Sequence, residues 1–117
     1  MRDHRKLRAF QLADSLVLDI YRVTKHFPKE EQFGLTSQMR RCATSIPANI
    51  VEGAARKSER DFIRFPEIAF GSARELGYFI DLSLRLGFLD QDTFESLRKN
   101  HDEAIKTLGG LIRSLRN

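Results

Sequence analysis

The chain has 117 residues, 41% of them hydrophobic and 31% charged, a composition typical of one folded globular domain rather than a disordered chain. Its one cysteine, Cys42, excludes an intrachain disulfide, and no apolar run approaches the roughly 18 residues that a membrane span needs. The net charge of +4 favours an anionic partner such as nucleic acid. Together with the lack of a pattern resembling a signal peptide, these features predict a cytoplasmic protein without a membrane role.

Helical periodicity recurs four times along the chain, whereas the alternation typical of strands is almost absent. The first helix is predicted to stop at Pro28, because proline lacks an N–H and disfavours a helical conformation in the preceding residue. The second helix follows a short connection and ends near Gly53. The first apolar stripe consists of Phe10, Ala13, Val17, Ile20, Thr24 and Phe27, and the second consists of Leu35, Met39, Cys42, Ile46 and Ile50.

Ser58 is predicted to cap the third helix, in an imperfect capping box with Asp61, and Gly87 is predicted to end it. Asp90 is predicted to cap the fourth helix. The third stripe runs through Phe62, Phe65, Ala69, Ser72, Leu76, Phe79, Ser83 and Leu86, and the fourth through Phe94, Leu97, His101, Ala104, Leu108, Leu111 and Leu115. The sequence therefore predicts an all-α, up-down-up-down four-helix bundle as a single domain over residues 1–117, with 1–8 as a flexible basic N-terminus.

The third helix carries a second apolar row beside the first. Its members are Phe70, Ala73, Gly77, Ile80 and Leu84. One four-helix core does not easily cover both rows, so this row is predicted to be an interface with another subunit. The alternative is a wide central helix inside a monomer.

Two prolines fall inside predicted helices. Pro47 leaves a carbonyl one turn earlier without its usual donor, and a structural role as a helix joint is favoured over a ligand site. Asn49 and Glu52 share a face and are predicted to satisfy polar groups across the bundle. Pro66 lies two turns into the third helix and predicts either a kink or a later helix start.

No pattern predicts catalysis, a metal or a cofactor. Di-iron bundles need Glu-x-x-His pairs, and neither His26 nor His101 follows a glutamate at that spacing. The spacings from Arg22 to His26 and from Arg98 to His101 also differ from those of four-helix ribonucleases of the HEPN type. Cys42 lies on an apolar stripe without a histidine nearby in the sequence, so it is predicted to be a buried structural thiol. The protein is therefore expected not to be an enzyme.

Basic residues concentrate at the N-terminus and along the second helix and the turn after it, and Arg60 belongs to this second group. The adjacent Arg40 and Arg41 point about 100° apart, so at most one of them can lie fully inward. Arg56 and Lys57 have a competing reason to exist, because cations stabilise the end of a helix. The residues predicted to contact nucleic-acid phosphates are Arg2, Arg5, Lys6, Arg8, Arg40, Arg41, Arg56 and Lys57. The alternative is a solvated face with no such role.

Three motifs, in this order, carry a family resemblance: FPKEEQFGLTSQMRRCATSIPANIVEG at 27–53, FIRFPEIAFGSARELGYFI at 62–80, and LGFL at 86–89. They resemble the four-helix bundle family of proteins encoded in intervening sequences of bacterial large-subunit rRNA genes, and the accessory variability proteins of diversity-generating retroelements. The resemblance implies a homopentamer that is basic on its surface and has no known catalytic residues. In the retroelement members it implies a reverse transcriptase and nucleic acid as partners. Pro66 departs from the bulky aliphatic or aromatic residue usual in the family.

Two functions of different class are open at this point. The first is an oligomeric accessory protein that binds RNA or DNA through its basic surface. The second is a protein–protein adaptor or scaffold with no nucleic-acid role. The dependence of binding on salt separates them, because phosphate contacts release counterions.

Overall fold

A computed structural model describes residues 2–116 and places four α-helices in this part of the chain: α1 (Arg8–Thr24), α2 (Leu35–Ala54), α3 (Glu59–Arg85) and α4 (Gln91–Leu115). Short 3-10 turns at His4–Lys6 and Lys29–Glu31 precede α1 and α2, and no strand occurs in the described residues. Each helix packs against two neighbours, in the cyclic order α1, α2, α3, α4. The predicted all-α four-helix bundle is confirmed. None of these helices combines the length and apolar character needed to cross a membrane.

Local side-chain chemistry determines where the helices begin and end. Ser58 Oγ accepts a hydrogen bond from the backbone N–H of Asp61 at 3.2 Å, and Asp90 Oδ1 accepts one from Thr93 at 2.7 Å, as the predicted caps require. Gly87, with φ of +79°, ends α3 in the left-handed conformation that glycine adopts at low cost. The sequence therefore predicted these three boundaries correctly.

The first connection differs from the sequence prediction in where α1 ends. α1 ends at Thr24, and Phe27 is buried beyond the helix, with its ring centroid 5.4 Å from that of Phe88. The residue at the N-cap of α2, Gly34, has no side chain to cap with. Glu31 from the preceding turn supplies the cap, because its Oε1 accepts from the backbone N–H of Leu35 at 3.1 Å.

The basic N-terminal segment lies against the turn between α2 and α3. The backbone N–H of Arg2 donates to the carbonyl of Ala54 at 2.8 Å, and Asp3 caps the 3-10 turn that follows. Arg8 is already the first residue of α1. Met1 lies outside the described residues, and the flexibility of residues 1–8 stays a prediction.

The second apolar row of α3 lies mostly in the core of one chain. Ala73, Gly77 and Ile80 are buried, which contradicts the prediction that they face another subunit. The physical reason is that α3 packs against both α2 and α4, so two apolar rows are needed inside a single bundle. The alternative of a wide central helix is therefore correct for these three residues. Phe70 and Leu84 are half-buried, and their role in an interface stays a prediction.

Both helices that contain a proline run without interruption through it. Pro47 is buried within α2, in agreement with a structural role, and Pro66 is buried within α3. Because α3 begins at Glu59, the alternative of a later helix start is wrong. Burial of both rings in the core compensates for the hydrogen bond that each proline removes.

Asn49 bonds within α2 and Glu52 bonds to Arg56 just after it, rather than across the bundle, so that prediction is wrong. Asn49 Nδ2 donates to the carbonyl of Ser45 at 2.8 Å, and Glu52 Oε1 accepts from Arg56 at 2.7 Å. The link between α2 and α3 is made instead by the hydroxyl groups of Ser45 and Ser72, which are 2.9 Å apart. Asn49 therefore positions Ser45, and Ser45 contacts the neighbouring helix.

Gly77 and Gly71 form a matched pair that tests the packing of α3. A Cβ atom at Gly77 would lie 2.9 Å from His101 Cε1, whereas one at Gly71 would meet no atom within 4 Å. We expect Gly77→Ala to lower the free energy of unfolding by about 1–2 kcal/mol, since overpacking outweighs the helix propensity that alanine adds. Gly71→Ala should raise it by about 0.5–1 kcal/mol. Urea unfolding measures both, and equal shifts for the two variants would contradict this packing.

Candidate nucleic-acid interface

The two halves of the bundle differ in charge. The antiparallel order brings residues 2–12, 46–70 and 103–116 together in one half, as the ion pairs of Arg8 with Glu103 and of Arg116 with Glu67 show. This basic half holds eleven Lys and Arg residues and six Asp and Glu residues. The opposite half holds nine and ten. The positive charge of the protein therefore belongs to the half that contains the start of α1, the α2–α3 turn and the end of α4.

Most of the predicted N-terminal cations in this half are paired with carboxylates. Arg2 forms an ion pair with Glu59 and lies over the Phe62 ring, 5.1 Å from its centroid. Arg5 pairs with Asp3 at 2.9 Å, and this hydrogen bond lowers the pKa of the Asp3 carboxyl. Arg8 pairs with Glu103 at 3.3 Å, whereas Lys6 has no carboxylate partner among residues 2–116. These contacts reduce the charge that the N-terminus offers to a ligand.

Unpaired cations lie just before and within the first turns of α3. Lys57, Arg60 and Arg64, which we call the α3 basic strip, are exposed and form no ion pair within the described part of the chain. Arg56, by contrast, pairs with Glu52 at 2.7 Å. The guanidinium carbons of Arg56 and Arg64 lie 4.7 and 5.3 Å from the centroid of the Phe65 ring. Sequence reasoning missed Arg64, although its four-residue spacing from Arg60 places both on one helix face.

Arg40 and Arg41 are separate from this cluster. Arg40 is half-buried between α1 and α2, where its Nε donates to Thr24 Oγ1 at 2.9 Å and its guanidinium lies 4.6 Å from the centroid of the Tyr21 ring. Arg41 is exposed. Arg41 lies thirteen positions before the end of α2, roughly 20 Å along the helix axis, and Arg56 lies beyond that end. The structure therefore does not place the two predicted groups of cations in one site, and Arg40 contributes to helix packing.

The free cysteine is protected from reaction. Cys42 is buried, and its Sγ donates to the carbonyl of Ser72 at 2.9 Å and lies 3.3 Å from Glu75 Oε1. Burial, helped by the nearby Glu75 carboxylate, raises the pKa of the thiol to about 12. The thiolate that nucleophilic chemistry requires is therefore scarce at neutral pH, and the prediction of a buried structural thiol is confirmed.

The buried histidine has a structural contact. His101 Nε2 donates to the carbonyl of Ala73 at 2.6 Å and thereby joins α4 to α3. Arg98 extends this link, because its guanidinium donates to the Gly77 carbonyl at 3.3 Å and to Asp81 at 2.8 Å. Among residues 2–116, no three His, Cys, Asp or Glu side chains come together as ligands for a metal ion.

Comparisons with known proteins connect this architecture to a family. Residues 5–110 match the family model described as 23S rRNA-intervening sequence protein. A similar solved structure is the crystal structure of a protein with unknown function from the S23 ribosomal protein family of Bacteroides thetaiotaomicron. It is 28% identical, with a TM-score of 0.82 over 89% of this chain and 97% of that chain. No curated protein matches this chain.

Proposed function

The chain belongs to the 23S rRNA-intervening sequence protein family, and from this premise we propose that it is a non-enzymatic accessory protein that binds RNA or DNA through its basic half. The observation that carries the proposal is the excess of eleven cations over six carboxylates in that half, against nine and ten in the opposite half. A surface with this asymmetry attracts a polyanion to one end of the bundle and leaves the other end outside the contact.

The α3 basic strip is the proposed centre of the contact. Lys57, Arg60 and Arg64 are exposed and do not have to leave an internal carboxylate before they meet a phosphate. Guanidinium groups bind phosphate with two parallel hydrogen bonds, which makes Arg60 and Arg64 the stronger contacts. The paired Arg2, Arg5, Arg8 and Arg56 contribute less, because a carboxylate already neutralises each of them.

Contacts of this kind position a nucleic acid without reading its sequence. Phosphate groups are the same for every base, so we expect binding with little sequence preference. Removing one cation that binds a phosphate should reduce the slope of log affinity against log salt by about 0.9 for duplex DNA and about 0.7 for a single strand.

We also propose that the protein self-associates through the outward face of α3. Ile68 and Tyr78 are 51% and 55% exposed, and with Gly71 they fall within an arc of about 80° around the helix axis. The face is open at Gly71, where even an added Cβ atom would meet nothing within 4 Å. An oligomer would repeat the basic strip in every copy and strengthen weak phosphate contacts through multivalency. The family resemblance points to five copies.

The same exposed face of α3 favours the second candidate function, a protein–protein adaptor or scaffold. A partner protein could cover Ile68 and Tyr78 as well as a second copy could, and the basic half would then serve only to keep the protein soluble. This candidate predicts no affinity for nucleic acid at low salt.

The triple change Lys57→Glu, Arg60→Glu, Arg64→Glu tests the nucleic-acid interface. We expect affinity for a single-stranded oligonucleotide at 50 mM salt to fall at least about tenfold, and the salt slope to fall by about 2. Fluorescence anisotropy measures both quantities. The matched control is Lys25→Glu, Lys29→Glu, Lys99→Glu, which reverses three exposed cations in the opposite half.

Each outcome of this experiment has a clear meaning. If the control weakens binding as much as the strip variant does, the interface does not lie at the start of α3. If the wild-type protein causes no anisotropy change at 50 mM salt with RNA or DNA, the adaptor function replaces the proposed one. Circular dichroism of both variants checks that helicity is retained.

Substitutions on α3 test self-association. We expect light scattering to give a mass several times the 13.5 kDa of one chain, and Tyr78→Asp to reduce it while helicity is retained, since an unpaired charge in a buried contact is costly. Ile80→Asp should instead unfold the protein, because Ile80 is fully buried in the core of one chain. A wild-type mass of one chain at micromolar concentration would refute the proposal.

A further inference from the structure

A groove between α3 and α4 opens in the basic half. Its volume is about 450 Å³, and it is lined by Glu67, Phe70, Gly109, Ile112, Arg113 and Arg116. This volume lies within the range of about 300–1,000 Å³ that is typical of small-molecule sites. Neither the bundle packing nor the α3 basic strip accounts for it.

Gly109 lines the α4 side of the groove, and Gly110 follows it within the same helix. A glycine in a helix interior is less favourable than an alanine. Packing against a neighbouring helix does not demand these two glycines. A Cβ atom at Gly110 would meet only Arg113 Nη2, at 3.7 Å, and one at Gly109 would meet Arg113 Nη1 at 3.4 Å and Phe70 at 3.7 Å. At Gly53, by contrast, a Cβ atom would collide with Phe62 at 2.7 Å.

The guanidinium of Arg113 lies beside both glycines, at ordinary contact distance from where their Cβ atoms would be. This group lies back along α4 over Gly109 and Gly110, on the side of the helix that faces Phe70. It has no carboxylate partner among the described residues, whereas Arg116 pairs with Glu67 at 2.8 Å at the rim of the groove.

The groove thus combines an unpaired guanidinium with a half-buried aromatic ring. Guanidinium groups bind phosphate through two parallel hydrogen bonds, and aromatic rings stack on nucleic-acid bases. We propose that the groove binds one nucleotide unit, with its phosphate on Arg113 and its base against Phe70. The unit is either a free mononucleotide or the terminal nucleotide of a strand. Binding of a strand's terminal nucleotide rests on the proposed function, because the α3 basic strip would hold the rest of the strand.

Three probes distinguish binding of a free mononucleotide from binding of a strand's terminal nucleotide. Adenosine monophosphate is titrated by calorimetry, and a linear single-stranded oligonucleotide is compared with its covalently closed circle of the same sequence, both labelled internally. We expect the linear form to bind more tightly than the circle if the groove takes strand ends. If it takes free nucleotides, adenosine monophosphate should bind while the linear and circular forms bind alike.

Two variants test whether the nucleotide binds in the groove. Arg113→Gln should weaken the groove-dependent binding roughly tenfold to a hundredfold, as expected for the loss of a charge-assisted hydrogen bond. Gly109→Leu should weaken it as much while raising thermal stability, because leucine fills the groove and favours the helix. A glycine with a purely structural role would give a loss of stability instead. Lys99→Gln, which removes one charge in the opposite half, is the control and should leave binding unchanged.

The inference fails separately from the proposed function. If adenosine monophosphate does not bind and the linear and circular oligonucleotides bind alike, the groove is not a nucleotide site. Binding of both oligonucleotides would in that case still support the α3 basic strip as the nucleic-acid contact. If neither oligonucleotide binds, the proposed function fails. Binding of adenosine monophosphate that survives both Arg113→Gln and Gly109→Leu would also overturn the inference.

Discussion

The close contact between α3 and α4 at Gly77 determines how this bundle is built. Without a side chain at this position, the His101 ring lies against α3, and its Nε2 reaches the carbonyl of Ala73 at 2.6 Å. α3 can therefore bury a second face in addition to the one that packs on α2. Gly53 makes an equivalent close approach possible at the α2–α3 contact, where Phe62 occupies the space of a missing Cβ atom. Small residues at two positions thus allow one helix to serve as the centre of the core.

The charge distribution follows from this architecture. Because the helices alternate in direction, the start of α1, the α2–α3 turn and the end of α4 meet in one half, and the basic segments of the sequence meet with them. Within that half, ion pairs neutralise Arg2, Arg5 and Arg8, so apart from Lys6 the cations open to a ligand lie around the start of α3 and near the end of α4. The proposed strand contact and the proposed nucleotide groove therefore share one end of the molecule.

The sequence predicted the helices well because local chemistry determines their ends. Ser58, Gly87 and Asp90 act on residues a few positions away, and such effects can be read directly from the chain. The site was predicted less well, because its electrostatics depend on contacts between distant residues. Arg2 meets Glu59 across 57 positions and Arg8 meets Glu103 across 95, and no spacing rule reveals such pairs. Periodicity likewise located the second row of α3 without showing that a neighbouring helix covers it.

The central claim is that nucleic acid contacts only the basic half of the bundle. A titration of the ¹⁵N-labelled protein with a short single-stranded oligonucleotide at 50 mM salt, followed by amide NMR signals, tests this claim most directly. We predict that the shifted amides cluster at residues 2–8, 56–64 and 106–116. Shifts concentrated at residues 22–31 and 85–99 in the opposite half, or no shifts at all, would contradict the account.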